Sequence, residues 1–172
     1  YRPPLRELGV RLVTLLVSVA VLLGVVFFAY QDFASLFRNN RNGTFTEVGY
    51  MAGVAVSGDG QFEAGMGTDA ADTTGSGHMD LVAVHLDMQL ARLYQNMGDG
   101  TFDDATLRSK IGYATFHLSE FGTRFFDYDN DGAIDLFMAT GHVLDNIERY
   151  HADTKYAEPK LMFRNTGRGI FE

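Results

Sequence analysis

The feature that most constrains the fold of this chain is an internal repeat. Residues 65–81 align with residues 120–136 without a gap, at an offset of 55 positions. A second pattern occurs three times, at residues 36–45, 93–102 and 162–171, and each copy is a short apolar segment, a turn rich in Asn, Asp and Gly, and a return through an aromatic residue. This second pattern is typical of a β-hairpin. Strand-and-hairpin repeats of about 50 residues predict the blades of a β-propeller.

We therefore predict an all-β fold that forms an incomplete β-propeller of about two to three blades. A closed ring usually contains about four to eight blades, and a single blade cannot bury its own faces. The chain begins with Tyr1 and ends at Glu172, directly on a repeat motif, which favours a piece of a longer protein. We expect the remaining blades from the missing sequence.

An acidic loop lies in the later copy of the long repeat. Residues 127–135 read Asp-Tyr-Asp-Asn-Asp-Gly-Ala-Ile-Asp, so carboxylates stand at positions 1, 3, 5 and 9 and glycine at position 6. Carboxylates this close repel one another unless a cation lies among them. Calcium is the usual occupant of such a loop, because it takes about six to eight oxygen ligands. The main-chain carbonyl at position 7, Ala133, would add a backbone ligand.

Two other interpretations of this loop have to be compared with a calcium site. An EF-hand requires a bidentate Glu at position 12 and a following helix. Position 12 is Met138, and the residues after position 9 are apolar and strand-like, so the EF-hand does not fit. The remaining alternative is a plain acidic turn, since Asp, Asn and Gly favour turns without any ion.

The earlier copy, at residues 72–80, keeps only part of the pattern. Its positions 1 and 9 are Asp72 and Asp80, whereas positions 3 and 5 are Thr74 and Ser76. Hydroxyl groups can coordinate calcium, but two carboxylates instead of four lower the affinity, because the charge of the ligands tunes it. We predict tight binding at 127–135 and weak or absent binding at 72–80.

A hydrophobic run precedes the repeats. Residues 12–31 contain no charge and are rich in Leu, Val and Phe, and arginines stand before the run at positions 2, 6 and 11. A helix of about 20 apolar residues spans the hydrocarbon core of a bilayer. Basic residues before such a helix keep its amino-terminal end in the cytoplasm. The pattern predicts a transmembrane or signal-anchor helix in residues 1–31 and an extracytoplasmic repeat region in residues 32–172. Alternatively, residues 25–29 form a buried strand of the first repeat.

The distribution of charge excludes one class of partner. The formal net charge is −8, with +2 in residues 1–31 and −10 in residues 32–172. An acidic body of this kind argues against nucleic acid as a partner and suits cation binding. The five histidines are scattered without zinc-ligand spacing, and the absence of cysteine rules out disulfides and thiolate chemistry.

Together these motifs resemble the FG-GAP/VCBS repeats of the integrin alpha-subunit propeller. They are most similar to the bacterial VCBS-repeat group that includes relatives of cartilage acidic protein and often carries an ASPIC/UnbV segment. The resemblance rests on the acidic loop with its following Leu136, the three Asn- and Gly-containing turns, and Gly141-His142-Val143, and it covers about residues 36–172. No ASPIC/UnbV segment is visible, and the first repeat lacks an acidic loop.

The resemblance implies a calcium-binding β-propeller on a cell surface or in a secreted protein, with a role in adhesion or in binding a protein or carbohydrate ligand, and without catalysis. His142 would anchor the segment inserted at residues 141–160 or touch a ligand. The implied Ca²⁺ ligands fall at the loop positions of both copies. They are Asp127, Asp129, Asp131, Ala133 (carbonyl) and Asp135, and then Asp72, Thr74, Ser76 and Asp80.

Two alternative functions stay open at this point. One is the non-catalytic part of a propeller-type hydrolase or lyase that acts on glycans. The other treats residues 1–31 as the working part, a membrane anchor for a complex, with the repeats as its scaffold.

Overall fold

The structure is a computed structural model that describes residues 34–172. The predicted membrane helix at residues 12–31 and the alternative strand at residues 25–29 lie outside this range. Within it, no helix has both the length and the apolar character needed to cross a bilayer.

The described part of the chain consists of short antiparallel strands with a few helical turns, so the prediction of an all-β fold is confirmed. One-turn helices lie at Gly49–Ala52 and Ile111–Thr115, and a 3₁₀ turn lies at Ile147–Arg149. The strands are β1 (Phe37–Asn39), β2 (Phe45–Glu47), β3 (Gly67–Ala71), β4 (Asp80–Val84), β5 (Arg92–Asn96), β6 (Phe102–Asp104), β7 (Glu120–Phe126), β8 (Asp135–Thr140) and β9 (Leu161–Phe163).

The strands form three sheets in which each strand pairs with the next one along the chain. The sheets are β1–β2, β3–β4–β5–β6 and β7–β8–β9. An antiparallel bridge between Asn165 and Phe171 continues the last sheet, in the place that β6 takes in the second sheet. The three predicted hairpins are therefore present. Across residues 34–172 the three sheets fall short of a closed ring, so the complete propeller remains a prediction.

Each hairpin turn is closed by an asparagine at the same position. The side-chain oxygens of Asn39, Asn96 and Asn165 accept hydrogen bonds of 2.8–2.9 Å from the main-chain N–H two residues later. That later residue has a positive φ in every copy: 61° at Arg41, 80° at Gly98 and 90° at Gly167. Asn side chains favour such turns because they bond to their own backbone two residues on. The turn is thus a local property of the repeated sequence.

The core lies between the second and third sheets. Alternate residues of β4, Val82 and Val84, are fully buried, and Leu136 and Met138 of β8 are buried in the same way. Burial of every second residue is expected where one face of a strand packs against another sheet, because successive side chains point to opposite faces. The other members of the cluster are Ala91, Leu93, Ala105, Ile111, Phe125, Phe163 and Phe171.

This packing brings β3 and β7 into direct contact. A Cβ atom on Gly67 would lie 2.1 Å from the carbonyl oxygen of Phe121, so only glycine fits there. The main-chain N–H of Phe125 donates a 2.8 Å hydrogen bond to Asp69. As a result, the β3–β4 loop, the β7–β8 loop and the last hairpin turn lie at one end of the paired sheets.

Candidate metal centre

The loop at residues 127–135 is closed by its first aspartate. Oδ1 of Asp127 accepts a hydrogen bond from the main-chain N–H of Asp131 at 3.1 Å, and Oδ2 accepts one from Gly132 at 3.0 Å. Asn130 and Gly132 have φ values of 59° and 88°, in the left-handed region that Asn and Gly tolerate best. The backbone therefore curls around the side chain of Asp127.

The loop at residues 72–80 repeats this arrangement 55 positions earlier. Oδ1 of Asp72 accepts from Ser76 N–H at 2.9 Å and Oδ2 from Gly77 N–H at 2.7 Å. Gly75 and Gly77 have φ values of 72° and 84°, which match Asn130 and Gly132. The alignment without gaps thus corresponds to two loops of the same conformation.

Three carboxylates of the later loop gather into a group that could hold a metal ion. Asp127, Asp129 and Asp135 each offer an oxygen, and these oxygens lie within 4.8 Å of one another. Asp131, the fourth predicted carboxylate, lies outside this group, and its Oδ1 accepts a 2.8 Å hydrogen bond from the N–H of Ala133. The structure therefore brings together three of the four predicted carboxylate ligands. A hard cation such as Ca²⁺ suits a group made of oxygens alone.

The last aspartate of each loop is fully buried and accepts main-chain hydrogen bonds on both oxygens. Asp135 accepts from Tyr128 N–H at 3.0 Å and from Asn165 N–H at 2.7 Å. Asp80 accepts from Thr73 N–H at 3.1 Å and from Asn96 N–H at 2.9 Å, in the same pattern. Each of these carboxylates ties its loop to the neighbouring hairpin, a role that the sequence analysis did not foresee.

The other three predicted ligands of the earlier loop, Asp72, Thr74 and Ser76, differ in their hydrogen bonding. Slight burial acts to raise the pKa of Asp72, but the N–H groups of Gly77 and Ser76 outweigh it, so the pKa lies below its usual value. The hydroxyl oxygen of Thr74 is buried and has no hydrogen-bond partner in the described part of the chain. Ser76 Oγ accepts a hydrogen bond from His78 N–H at 3.2 Å. Among these three residues, Thr74 therefore has a side-chain oxygen that no hydrogen bond within residues 34–172 occupies.

Family comparisons match the stretch that contains both loops. Residues 72–138 match the FG-GAP-like repeat family. The matched region begins at Asp72, the first residue of the earlier loop, and extends beyond Asp135, the last residue of the later one. Residues 1–48 match a different family, phosphoethanolamine transferase EptA/EptB. No curated protein matches the chain.

The FG-GAP-like match supports an FG-GAP repeat protein and a module of the β-propeller type. It covers β4 to β7, the central loops and most of β8. The finer resemblance to the ASPIC/UnbV group stays a prediction.

Asn165 connects the two loops of the FG-GAP-like region. Its side-chain N–H groups donate to the carbonyl of Thr73 at 2.8 Å and to the carbonyl of Ile134 at 2.9 Å. Its oxygen accepts from Gly167 and Gly169 in the last turn. Sequence reasoning treated Asn165 only as a turn residue. Its recurrence in all three hairpins was the signal that could have found it.

The two loops also border a common cleft of about 270 Å³. Asp72 and Gly75 line it from the earlier loop, and Asp131 and Ala133 line it from the later one. Ala133 lines a second small cleft of about 320 Å³ together with Arg164 of the last hairpin. Three of the predicted ligands, Asp72, Asp131 and Ala133, thus line one cleft between the loops.

A larger cleft, of about 960 Å³, lies away from the acidic loops. Its aromatic walls are formed by Phe62, Tyr113 and Phe116, with carboxylates from Asp59 and Asp104. It is shaped by the loops after β2, β4 and β6, at the other end of the second sheet. Ligand pockets commonly combine aromatic walls with a few polar groups.

His142 anchors the inserted segment. The residue is buried, and its main-chain N–H donates to the carbonyl of Tyr156 at 3.0 Å. Its ring nitrogen Nδ1 accepts a hydrogen bond from the main-chain N–H of Leu144 at 3.0 Å. Its Nε2 lies 3.7 Å from Asp87. These contacts agree with the anchoring interpretation of this residue.

Proposed function

We propose that this chain is a calcium-binding β-propeller repeat module of an extracytoplasmic, surface-associated binding or adhesion protein. The observation that carries the proposal is the oxygen group of Asp127, Asp129 and Asp135. It lies in a loop whose conformation recurs at residues 72–80, inside the region that matches the FG-GAP-like repeat.

The donor set fits Ca²⁺ better than a softer metal, since it contains neither sulfur nor imidazole. Asp127, Asp129 and Asp135 would hold the ion, with Asp131 and the carbonyl of Ala133 completing the shell. When bound, the ion supplies positive charge among carboxylates that otherwise repel one another. Because the unfolded chain lacks the arranged site, part of the binding free energy stabilises the fold.

For the earlier loop we propose a second, weaker calcium site formed by Asp72, Thr74, Ser76 and Asp80. The hydroxyl oxygen of Thr74, which is buried and has no hydrogen-bond partner within residues 34–172, supports it. The lower number of carboxylates explains the weaker affinity, because fewer negative ligands attract the cation less strongly.

We further propose a location outside the cytoplasm with attachment to the membrane through residues 12–31. Three observations support it: the uncharged run itself, the family match of residues 1–48, and the frequent occurrence of FG-GAP repeats in extracellular proteins. The net charge of −10 on residues 32–172 favours cations over nucleic acid.

As the partner we propose a protein or carbohydrate ligand bound at the aromatic cleft beside Tyr113 and Phe116. Exposed rings stack on sugar faces or pack against apolar side chains, and the carboxylates of Asp59 and Asp104 accept hydrogen bonds. The cleft lies away from the calcium loops, so ligand and ion would bind at separate places.

Calcium binding is tested by thermal unfolding of the full chain in EGTA and in rising CaCl₂. A ligand at about 100 times its Kd stabilises by about 2.7 kcal/mol. For a chain of this size, each kcal/mol raises Tm by about 2–4 °C. We expect Asp129→Asn to abolish most of the shift, whereas Asp153→Asn, which removes the same charge from an exposed residue outside both loops, retains it.

The proposal fails if the folded wild-type chain shows no Tm response at millimolar calcium. It fails equally if Asp129→Asn and Asp153→Asn respond alike.

A further inference from the structure

The first hairpin exposes two aromatic side chains on one face. Phe37 in β1 is 59% exposed, and Phe45 in β2 is 61% exposed. Phe45 pairs with Asn39, which lies two residues after Phe37 in the same strand. Residues two apart in a strand, and residues paired across strands, share a face of the sheet. Phe37 and Phe45 therefore lie close together on one face of the hairpin.

The equivalent aromatic side chains of the other two hairpins are covered. In the repeated pattern they are Tyr94 and Phe163 at the first position, and Phe102 and Phe171 at the second. Tyr94, Phe163 and Phe171 are 1–8% exposed, and Phe102 is half-buried. The repeat thus places these rings under a neighbouring layer of the fold. Within residues 34–172, no comparable layer lies over the first hairpin.

Two further apolar side chains are exposed directly after β2. The one-turn helix Gly49–Ala52 begins beside β1, because the N–H of Val48 donates to the carbonyl of Leu36 at 2.7 Å. Its Tyr50 and Met51 are 73% and 80% exposed. Single exposed apolar residues are ordinary, whereas several together mark an interaction surface. Such a surface is present between residues 37 and 51.

The first hairpin is also locally basic, although the repeat region as a whole is acidic. Residues 34–48 contain Arg38, Arg41 and Glu47, a net charge of +1, whereas residues 32–172 carry −10. Oε1 of Glu47 is held by two main-chain N–H groups, at 2.6 and 3.3 Å. In the described range, neither arginine forms an ion pair within 4.0 Å. Both guanidinium groups are therefore available to an anionic partner.

This surface follows closely on the proposed membrane segment. Phe37 comes six positions after residue 31, the last residue of the uncharged run. An extended residue spans at most about 3.6 Å, so six positions reach about 20 Å. Aromatic rings favour the interface between membrane and water, and long basic side chains reach the lipid headgroups from there. The exposed rings and the two arginines have the chemistry of a surface that contacts lipid.

We propose that the first hairpin docks on the bilayer surface through Phe37 and Phe45, with Arg38 and Arg41 contacting anionic headgroups. This inference rests on the proposed attachment of residues 12–31 to the membrane. It assigns lipid as the layer that covers the first hairpin, where protein covers the other two. The repeat module is then held against the membrane surface and does not swing on a free tether.

A strand at residues 25–29 is the competing cover for these rings. It would belong to the first repeat and would pack protein against Phe37 and Phe45. The same residues cannot form this strand and also lie in a membrane-spanning helix. The two covers therefore differ in what surrounds the rings, which is lipid in one case and protein in the other.

The test uses tryptophan as a reporter, because the chain contains none. Phe37→Trp and Phe45→Trp, each in the full chain, are reconstituted into vesicles of phosphatidylcholine and phosphatidylglycerol with plain or brominated acyl chains. An interfacial ring lies about 5–10 Å into the boundary between headgroups and acyl chains, so bromine should lower its emission about twofold. Tyr113→Trp and Tyr150→Trp, at rings that are 76% and 69% exposed outside the hairpin, should not be quenched.

The arginines are tested in the same vesicles. Arg38→Gln with Arg41→Gln, added to Phe37→Trp, should weaken the quenching when phosphatidylglycerol is present, because the attraction to anionic lipid is lost. In vesicles of phosphatidylcholine alone, the substitutions should change the quenching little. Equal quenching in both kinds of vesicle, with and without the arginines, would contradict their role.

Flotation of the wild-type chain with these vesicles at alkaline pH tests the membrane attachment separately. If the chain floats but the two hairpin reporters are quenched no more than Tyr113→Trp and Tyr150→Trp, the docking proposal is wrong and the attachment stands. Blue-shifted emission of Phe37→Trp without quenching would overturn the proposal in favour of a protein cover. If the chain does not float, the attachment and the docking are both wrong.

Discussion

The side-chain amide of Asn165 donates a 2.8 Å hydrogen bond to the main-chain carbonyl of Thr73, which lies 92 residues earlier in the chain. The same amide reaches the carbonyl of Ile134 at 2.9 Å. One buried side chain thereby joins both acidic loops to the last hairpin. These hydrogen bonds hold the two loops together without a bound ion.

Asn165→Ala should be strongly destabilising. It leaves the carbonyl of Thr73 and the N–H groups of Gly167 and Gly169 without their buried partners, and each such group costs about 1–3 kcal/mol. We expect a loss of about 3 kcal/mol in unfolding free energy, measured by urea denaturation. Asn39→Ala, at the equivalent but exposed position, should cost less than about 1 kcal/mol. Equal losses for the two variants would contradict the role of Asn165.

Asp80→Asn separates a structural role from metal coordination. Both oxygens of Asp80 accept main-chain N–H groups, so an amide would place its own N–H against one of these donors. We expect about 1–3 kcal/mol of destabilisation even in EGTA. Asp129→Asn should have almost no effect in EGTA and should act only when calcium is present. A loss for Asp80→Asn that is seen only with calcium would show that coordination is its main role.

The predicted difference in calcium affinity between the two loops can be reversed by substitutions in the earlier loop. Thr74→Asp with Ser76→Asp gives the earlier loop carboxylates at positions 1, 3, 5 and 9, as in the later loop. In an Asp129→Asn background, we expect calorimetry to show calcium affinity at least about tenfold higher for the redesigned loop, because added ligand charge strengthens binding. Without calcium, the same variant should be less stable, since four crowded carboxylates repel one another. Unchanged affinity would argue against calcium at residues 72–80.

Gly67→Ala tests the contact between the second and third sheets. Its Cβ would meet the carbonyl oxygen of Phe121 at 2.1 Å and a methyl group of Val84 at 3.2 Å. Backbone cannot move as easily as a side-chain end, so we expect a loss of about 1–3 kcal/mol, measured as a lower urea midpoint. Gly65→Ala is the matched control, because its Cβ would point into open space. Similar midpoints for both variants would show that β3 and β7 are not packed this closely.

Local features of the structure followed directly from the sequence. The hairpin turns, and the closure of each acidic loop around its first aspartate, depend on hydrogen bonds between residues at most five positions apart, such as Asp127 with Asp131 and Gly132. In the two acidic loops, glycine or asparagine stands wherever the backbone takes a positive φ: Gly75, Gly77, Asn130 and Gly132. Such interactions need no distant partner, so a repeated sequence gives a repeated conformation.

The carboxylates that gather in the later loop are a subset of the predicted ligands. Spacing along the loop predicts Asp127, Asp129, Asp131 and Asp135, and the structure groups Asp127, Asp129 and Asp135, while Oδ1 of Asp131 accepts a hydrogen bond from Ala133 N–H. Which carboxylate faces inward depends on the backbone direction at each residue. Spacing alone does not give that direction.

The sequence by itself determined the strand repeats, the turns and the positions of the acidic loops, because these depend on neighbours in the chain and on period-two burial. Only the tertiary structure decided that Asn165 reaches Thr73, that Asp135 reaches Asn165, and that Glu158 reaches Ser119. These contacts join residues about 30 or more positions apart. They form only once the sheets are paired in register and packed, which places distant polar groups where water can no longer satisfy them.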